Sequence, residues 1–243
     1  TISSELMKRF SVLSRALTLA ALLLCISSGA VFAALPSLDD DDNLDHVGKV
    51  VADPIEPWNR AMFHFNDAVI DYVARPVYKG YEYVTPRFMR TGIKNFFHNL
   101  AFPVRFVNNV LQGRPRAAGV EMSRFILNST AGLGGLIDVA KHHEPVVPVE
   151  DEDLGQTFGV WGIGEGFYVV WPFLGPSTLR DTFGMAGDTF LDPVTYVNPW
   201  EAGVAIKAGK TFNELDDILD LYDNLKRAAI EPYSSMRDAY VQY

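Results

Sequence analysis

Two uncharged stretches, Phe125–Ile137 and Gly166–Leu179, set the main constraint on this chain, because neither can cross a bilayer as a helix. They run for 13 and 14 residues, whereas a helix spanning hydrocarbon needs roughly 20. Both also carry helix breakers: Gly132, Gly134 and Gly135 in the first, Pro172 and Gly175-Pro176 in the second. Such segments must be buried in a core or laid into a membrane without spanning it. With 48% hydrophobic residues the chain can afford a core, and its net charge of −9 argues against a nucleic-acid partner, whose phosphates would be repelled.

The N-terminus reads as a targeting segment, residues 1–33, with Met7 as the natural start. Lys8, Arg9 and Arg15 precede the apolar run Ala16–Ile26, and Val31-Phe32-Ala33 offers small residues for cleavage after Ala33. The alternative is an uncleaved anchor, since no charge occurs between Ala16 and Leu38. Lipidation at Cys25 is the disfavoured reading, because the bulky Leu24 stands where a lipidation signal needs a small residue. Cleavage after Ala33 leaves no cysteine, hence no disulfide framework and no catalytic thiol. Residues 34–52 follow as an acidic, flexible tether around Asp39–Asp42, preferred over a calcium loop.

From residue 53 to 243 the pattern is mainly α, a single helical domain punctuated by proline. Pro57 suits a first helical turn, with Pro76 as the expected stop, and Trp58, Met62, Phe65, Val69 and Tyr72 form one apolar stripe. Thr85-Pro86 and Pro103 open the next helices and Gly113 ends one; Met122, Phe125 and Ile126 share a face before a glycine break. Thr211 with Glu214 reads as a capping box before an amphipathic helix ending near Ile230, and SSMRDAYVQY closes the chain as a short helix.

No catalytic constellation emerges. His142-His143-Glu144 lacks metalloprotease spacing and reads as a solvated cluster; Ser177 lies in GPST, not a nucleophile elbow, and reads as a helix cap; the Glu150–Asp153 run reads as a solvated acidic turn. More telling are amides among aromatics: Asn59, Asn66, Asn95, Asn99, Asn108, Asn109, Gln112 and Asn128. An amide buried without a partner costs several kcal/mol at the apolar extreme. These residues therefore bond within a core or line a wet passage.

The blocks DPIEPWNRAMFHFND (53–67), GIKNFFHNLAFPVRFVNNVLQG (92–113), RFILNSTAGLGGLIDVA (124–140), EDLGQTFGVWGIGEGFYVVWPFLGPSTLRD (152–181) and EPYSSMRDAYVQY (231–243) resemble, in order, the MlaA/VacJ family of outer-membrane proteins. The resemblance implies a ring-shaped helical protein in the inner leaflet of the Gram-negative outer membrane, with a central amphipathic channel, no transmembrane span, no cofactor, no metal and no catalytic residue. It also implies intermembrane phospholipid transport: mislocalised phospholipids leave the outer leaflet beside a trimeric porin and pass to a periplasmic lipid-binding carrier. Candidate channel or lipid-binding residues are Trp58, Asn59, Phe63, Phe65, Asn66, Phe125, Asn128, Phe158, Trp161, Phe167 and Phe173. The competing functions are a porin accessory that transports nothing and a membrane phospholipid hydrolase.

Overall fold

A computed structural model describes residues 52–143, 146 and 148–242. The targeting segment, Cys25, nearly all of the acidic tether and Glu144 lie outside the described residues.

The first helix, α1 (Glu56–Val69), has Pro57 in its opening turn, where a missing N–H costs nothing. Pro76 does not stop it. A π turn (Ile70–Ala74) follows, in which the Arg75 N–H reaches back to the Ile70 carbonyl, and α2 (Arg75–Val84) continues the rod. The residue inserted by the π turn absorbs the proline ring that would otherwise clash with the preceding turn. Thr85 is not a cap either: its N–H closes α2 on Tyr81, and Pro86 sits at the N-cap of α3 (Arg87–Leu100).

Helices α4 (Phe102–Leu111) and α5 (Pro115–Thr130) pack side by side, joined through Gly113 at φ +72°. The glycine break after α5 is a run of turns. Gly135, at φ +98°, lies so close to Asn99 that a Cβ there would come within 2.7 Å of its side chain. Helix α6 (Leu154–Val160) packs on α7 (Leu179–Asp188) with glycine against glycine; a Cβ on Gly184 would fall 2.3 Å from the Gly155 nitrogen.

Between them the kinked apolar segment forms a β-hairpin. Strands β1 (Tyr168–Trp171) and β2 (Gly175–Thr178) pair antiparallel, with Trp171 opposite Gly175 and a three-residue tip, Pro172-Phe173-Leu174. Of the two fates open to this segment, its first strand takes the buried one: Tyr168, Val169 and Val170 are buried. The N-cap of α7 is Thr178, whose Oγ1 accepts from the Asp181 N–H, not Ser177. The Ser177 hydroxyl is buried and donates to the Thr178 carbonyl.

Helices α8 (Trp200–Asn213), α9 (Leu215–Ala228) and α10 (Pro232–Gln242) complete the domain. Thr211 lies inside α8 and the junction residue Glu214 makes no side-chain cap, so the capping box is not used. The apolar core is assembled at this end. Phe63, Tyr168, Val170, Tyr222, Tyr233, Met236 and Val241 form one cluster, and Ala74, Tyr78, Leu215 and Leu219 a second.

The other end is inverted. On α4 and α5 the buried side chains are, apart from Ala118, all polar or charged (Arg105, Asn108, Asn109, Glu121, Arg124 and Asn128), while Val110, Leu111, Met122 and Ile126 face outward. Leu133, Leu136 and Ile137 extend this apolar exterior. The expected stripe is split: Trp58, Phe65 and Tyr72 are exposed, whereas Met62 packs partly buried against the core and Val69 is half-buried, and Asn59 and Phe63 take the inner face. Among the described residues no helix is long and apolar enough to cross a membrane.

Candidate functional site

A cavity of about 100 Å³ opens between the first helical rod, the hairpin and the α8–α10 end of the domain. Phe63, Val69 and Ile70 supply one wall, Tyr168, Val170, Phe173 and Leu174 a second, and Thr211, Leu215, Ile218 and Tyr222 a third. An apolar void of this kind favours hydrocarbon over water, which needs several polar partners to settle. The Tyr168 hydroxyl is buried without a partner among the described residues, and burial pushes its pKa upward.

Asparagines on α1 fix the hairpin over this space. Asn59 is wholly buried: its amide nitrogen donates to the Tyr168 carbonyl (3.0 Å) and to Asp53 (2.7 Å), and its oxygen accepts from the Val170 N–H at 2.7 Å. Two turns on, Asn66 donates to the Trp171 carbonyl at 2.9 Å and accepts from the Phe173 N–H at 2.7 Å. Phe173 occupies the left-handed region at φ +65°, which costs a non-glycine residue roughly 1–2 kcal/mol. The Asn66 bond and an edge-on contact with Phe65, 5.0 Å between centroids, hold it there.

The inverted end carries a second set of bonds. Arg105 donates to Glu121 at 2.8 Å, both buried, and Arg124 to Asp138 at 2.8 Å. Asn128 donates to Asp138 and accepts from the Ala140 N–H. Asn108 donates to Asp188 while its oxygen accepts from Thr157. Burial pushes Asp188 up to about 6, against the bonds from the Leu154 N–H and Asn108 that favour its anion. Only half of the acidic run before α6 is solvated: Glu150 and Asp151 are exposed, whereas Glu152 is buried against Gln112 and Arg114, and Asp153 caps α6.

Of the candidate residues, Phe63, Asn66 and Phe173 line the cavity, and Phe65 and Asn59 support its walls. The other six are elsewhere. Trp58 is exposed on α1, Phe125 stacks on Phe102 at 4.4 Å, Asn128 belongs to the Asp138 bonds, Phe158 and Trp161 pair at 6.0 Å, and Phe167 precedes the hairpin. The third wall was missed, although Thr211, Leu215, Ile218 and Tyr222 recur at helical spacing. Each amide on α1, α3 and α5 is bonded to protein groups, Asn95 at the surface and Asn59, Asn66, Asn99 and Asn128 within the fold; on α4 and at its end, Asn109 Oδ1 and Gln112 Oε1 are buried without a partner among the described residues. The described residues hold no group of three or more potential metal ligands.

One end with a polar, ion-paired interior and an apolar exterior, together with an open apolar cavity, defines a helical protein built to sit against hydrocarbon and to shelter an apolar group. Known proteins agree with that class. Residues 51–243 match the family model described as MlaA lipoprotein, and the chain belongs to this family. It is 38% identical over 193 residues to the intermembrane phospholipid transport system lipoprotein MlaA of Escherichia coli K12, covering 79% of this chain and 76% of the relative. The protein of the same name from Haemophilus influenzae is 33% identical, with 78% and 76% covered. A solved structure described as "Structural basis for maintenance of bacterial outer membrane lipid asymmetry" superposes with a TM-score of 0.65 at 36% identity, over 79% of this chain and 96% of that one.

Proposed function

We propose that this protein carries phospholipid between membranes. Seated in the periplasmic leaflet of a Gram-negative outer membrane, it takes stray phospholipids from the outer leaflet through an amphipathic channel and hands them to a periplasmic lipid-binding carrier. The observation that carries the reading is the inversion: Glu121, Arg105 and Asn108 inside, Met122, Ile126, Leu136 and Ile137 outside. In water that arrangement forfeits the hydrophobic driving force on one whole end of the domain. Against acyl chains it is the favourable one, because buried polar groups find partners and the exterior meets hydrocarbon.

The names of the relatives support transport. The alternative nucleophile, Ser177, is buried and bonded to Thr178 and Thr182. No covalent step is needed: the protein lowers the barrier to lipid movement, and the direction comes from leaflet imbalance or from the carrier downstream. A trimeric porin beside the apolar exterior completes the proposed setting. The test is exchange of fluorescent phospholipid between vesicles containing the protein and a soluble acceptor. Acceleration with intact lipid recovered supports transport, whereas release of fatty acid, or no binding to vesicles, refutes it.

A further inference from the structure

The cavity lies where the two apolar clusters of the core meet. Phe63, Val170 and Met236 reach it from one cluster, Ala74 and Leu215 from the other. Ile70, half-buried at the start of the π turn, packs against both and also lines the space between them. Protein interiors leave few voids larger than a water molecule. A gap at the joint of two cores therefore marks room kept for an apolar group from outside.

Size and lining limit what that group is. At about 100 Å³ the cavity is smaller than an apolar cavity of about 150 Å³ that holds one benzene ring. An alkyl chain thus enters to a depth of roughly half a dozen carbons, and two chains side by side do not fit. Among the described residues no charged side chain lines the space. The polar atoms of Asn66 and the Tyr222 hydroxyl are spent inside the protein, on Trp171, Phe173 and Asp67. A phosphate drawn inside would lose its hydration with no cation to replace it, so the head group stays at the mouth.

A phospholipid with two chains, held this way, has one chain sheltered and the other still among hydrocarbon outside. Removing that second chain takes nothing from the cavity. We infer that the cavity is a single-chain site and that the protein takes lysophospholipids, which carry one acyl chain, as ligands in their own right. The chain's net charge of −9 opposes the bare carboxylate of a fatty acid but not a zwitterionic head, so the ligand is the zwitterionic lysophospholipid. The inference rests on the phospholipid-transport reading and widens its substrates to single-chain lipids.

The experiment holds the full chain in an amphipathic polymer belt and displaces a fluorescent lysophosphatidylcholine with unlabelled ones, from butanoyl to dodecanoyl. Binding is read against free aqueous concentration. Affinity should climb about fourfold per methylene and level off once roughly half a dozen carbons are inside. Dihexanoylphosphatidylcholine should bind only about twofold better than its hexanoyl lyso form, the statistical gain of two equivalent chains, whereas two sheltered chains would gain about a hundredfold or more. Ile218→Ala should move the levelling point to longer chains and Ala74→Leu to shorter ones; the unmodified protein's own series decides the matter where a variant fails to fold. Hexanoate should bind more weakly than the hexanoyl lysolipid, with the gap closing as salt is raised. A climb with no levelling, a levelling point that neither folded variant moves, a diacyl gain above about tenfold, tighter binding of hexanoate, or no displacement at all overturns the inference. Exchange of diacyl lipid between vesicles decides the transport reading separately: if it persists, transport stands without the single-chain site, and if it too is absent, both fall.

Discussion

Replacing Asn59 by alanine removes three hydrogen bonds from a position with no solvent access: to Asp53, to the Tyr168 carbonyl and from the Val170 N–H. The last two partners are backbone groups of a buried strand, and water cannot replace the amide. Each orphaned group costs about 1–3 kcal/mol, so the loss totals about 3–5 kcal/mol. At about 2–4 °C per kcal/mol for a domain of this size, the melting temperature falls by roughly 10 °C. Asn59→Asp separates bonding from shape. Its carboxylate still accepts from Val170 but turns an oxygen toward the Tyr168 carbonyl and Asp53, so it should be no more stable than the alanine variant. Thermal and denaturant melts in mild detergent measure the loss, and hydrogen exchange at the Val170 amide locates it. A loss below about 1 kcal/mol with Val170 still protected would refute the view that this amide fastens the hairpin.

Arg105→Met strands the buried Glu121 carboxylate and should cost about 3–5 kcal/mol in a denaturant melt, most of it recovered in the Arg105→Met, Glu121→Leu double variant. Ile218→Trp fills the cavity and should reduce co-purifying phospholipid several-fold, read by mass spectrometry, with the melting temperature little changed. Glu231 is lowered to about 2 by the bonds from Ser234 and Arg60. Its folded pKa lies below the ordinary value, so its contribution is complete above pH ~4.5 and is lost as pH falls toward 2. Melts of wild type and Glu231→Gln should therefore differ by no more than about 1 kcal/mol at pH 6, since the pair is half-exposed, and converge near pH 2.

Much of the helical frame was legible in the sequence because it rests on local signals. Pro57 and Pro103 opened helices, Gly113 ended one, and the closing helix formed where it was read. Readings failed where a long-range partner decided the outcome. Pro76 was absorbed by a π turn, and the stripe from Trp58 to Tyr72 was split, with Trp58, Phe65 and Tyr72 outside, because Asn59 and Asn66 are turned inward to hold a hairpin more than 100 residues away. That hairpin was hidden because Tyr168–Val170 is apolar without alternation. The orientation of α5 was not legible either: periodicity puts Met122 and Ile126 on one face but cannot say whether that face meets a core or a membrane. Of the cavity lining, Phe63, Asn66 and Phe173 could be read from aromatics near asparagines, whereas its Leu215 and Ile218 wall looked like any amphipathic helix.

Putting charge and amide at the centre of α4 and α5 reverses the usual map of tolerance. A carbon-rich rim can exchange one aliphatic for another with little effect, because acyl chains reshape themselves around whatever they touch. The Arg105–Glu121 and Asn128–Asp138 contacts allow no such drift, since each fixes both an identity and a direction. Relatives living in membranes of different lipid make-up could thus be retuned at the perimeter, one methyl group at a time, while the wiring underneath stays as it is.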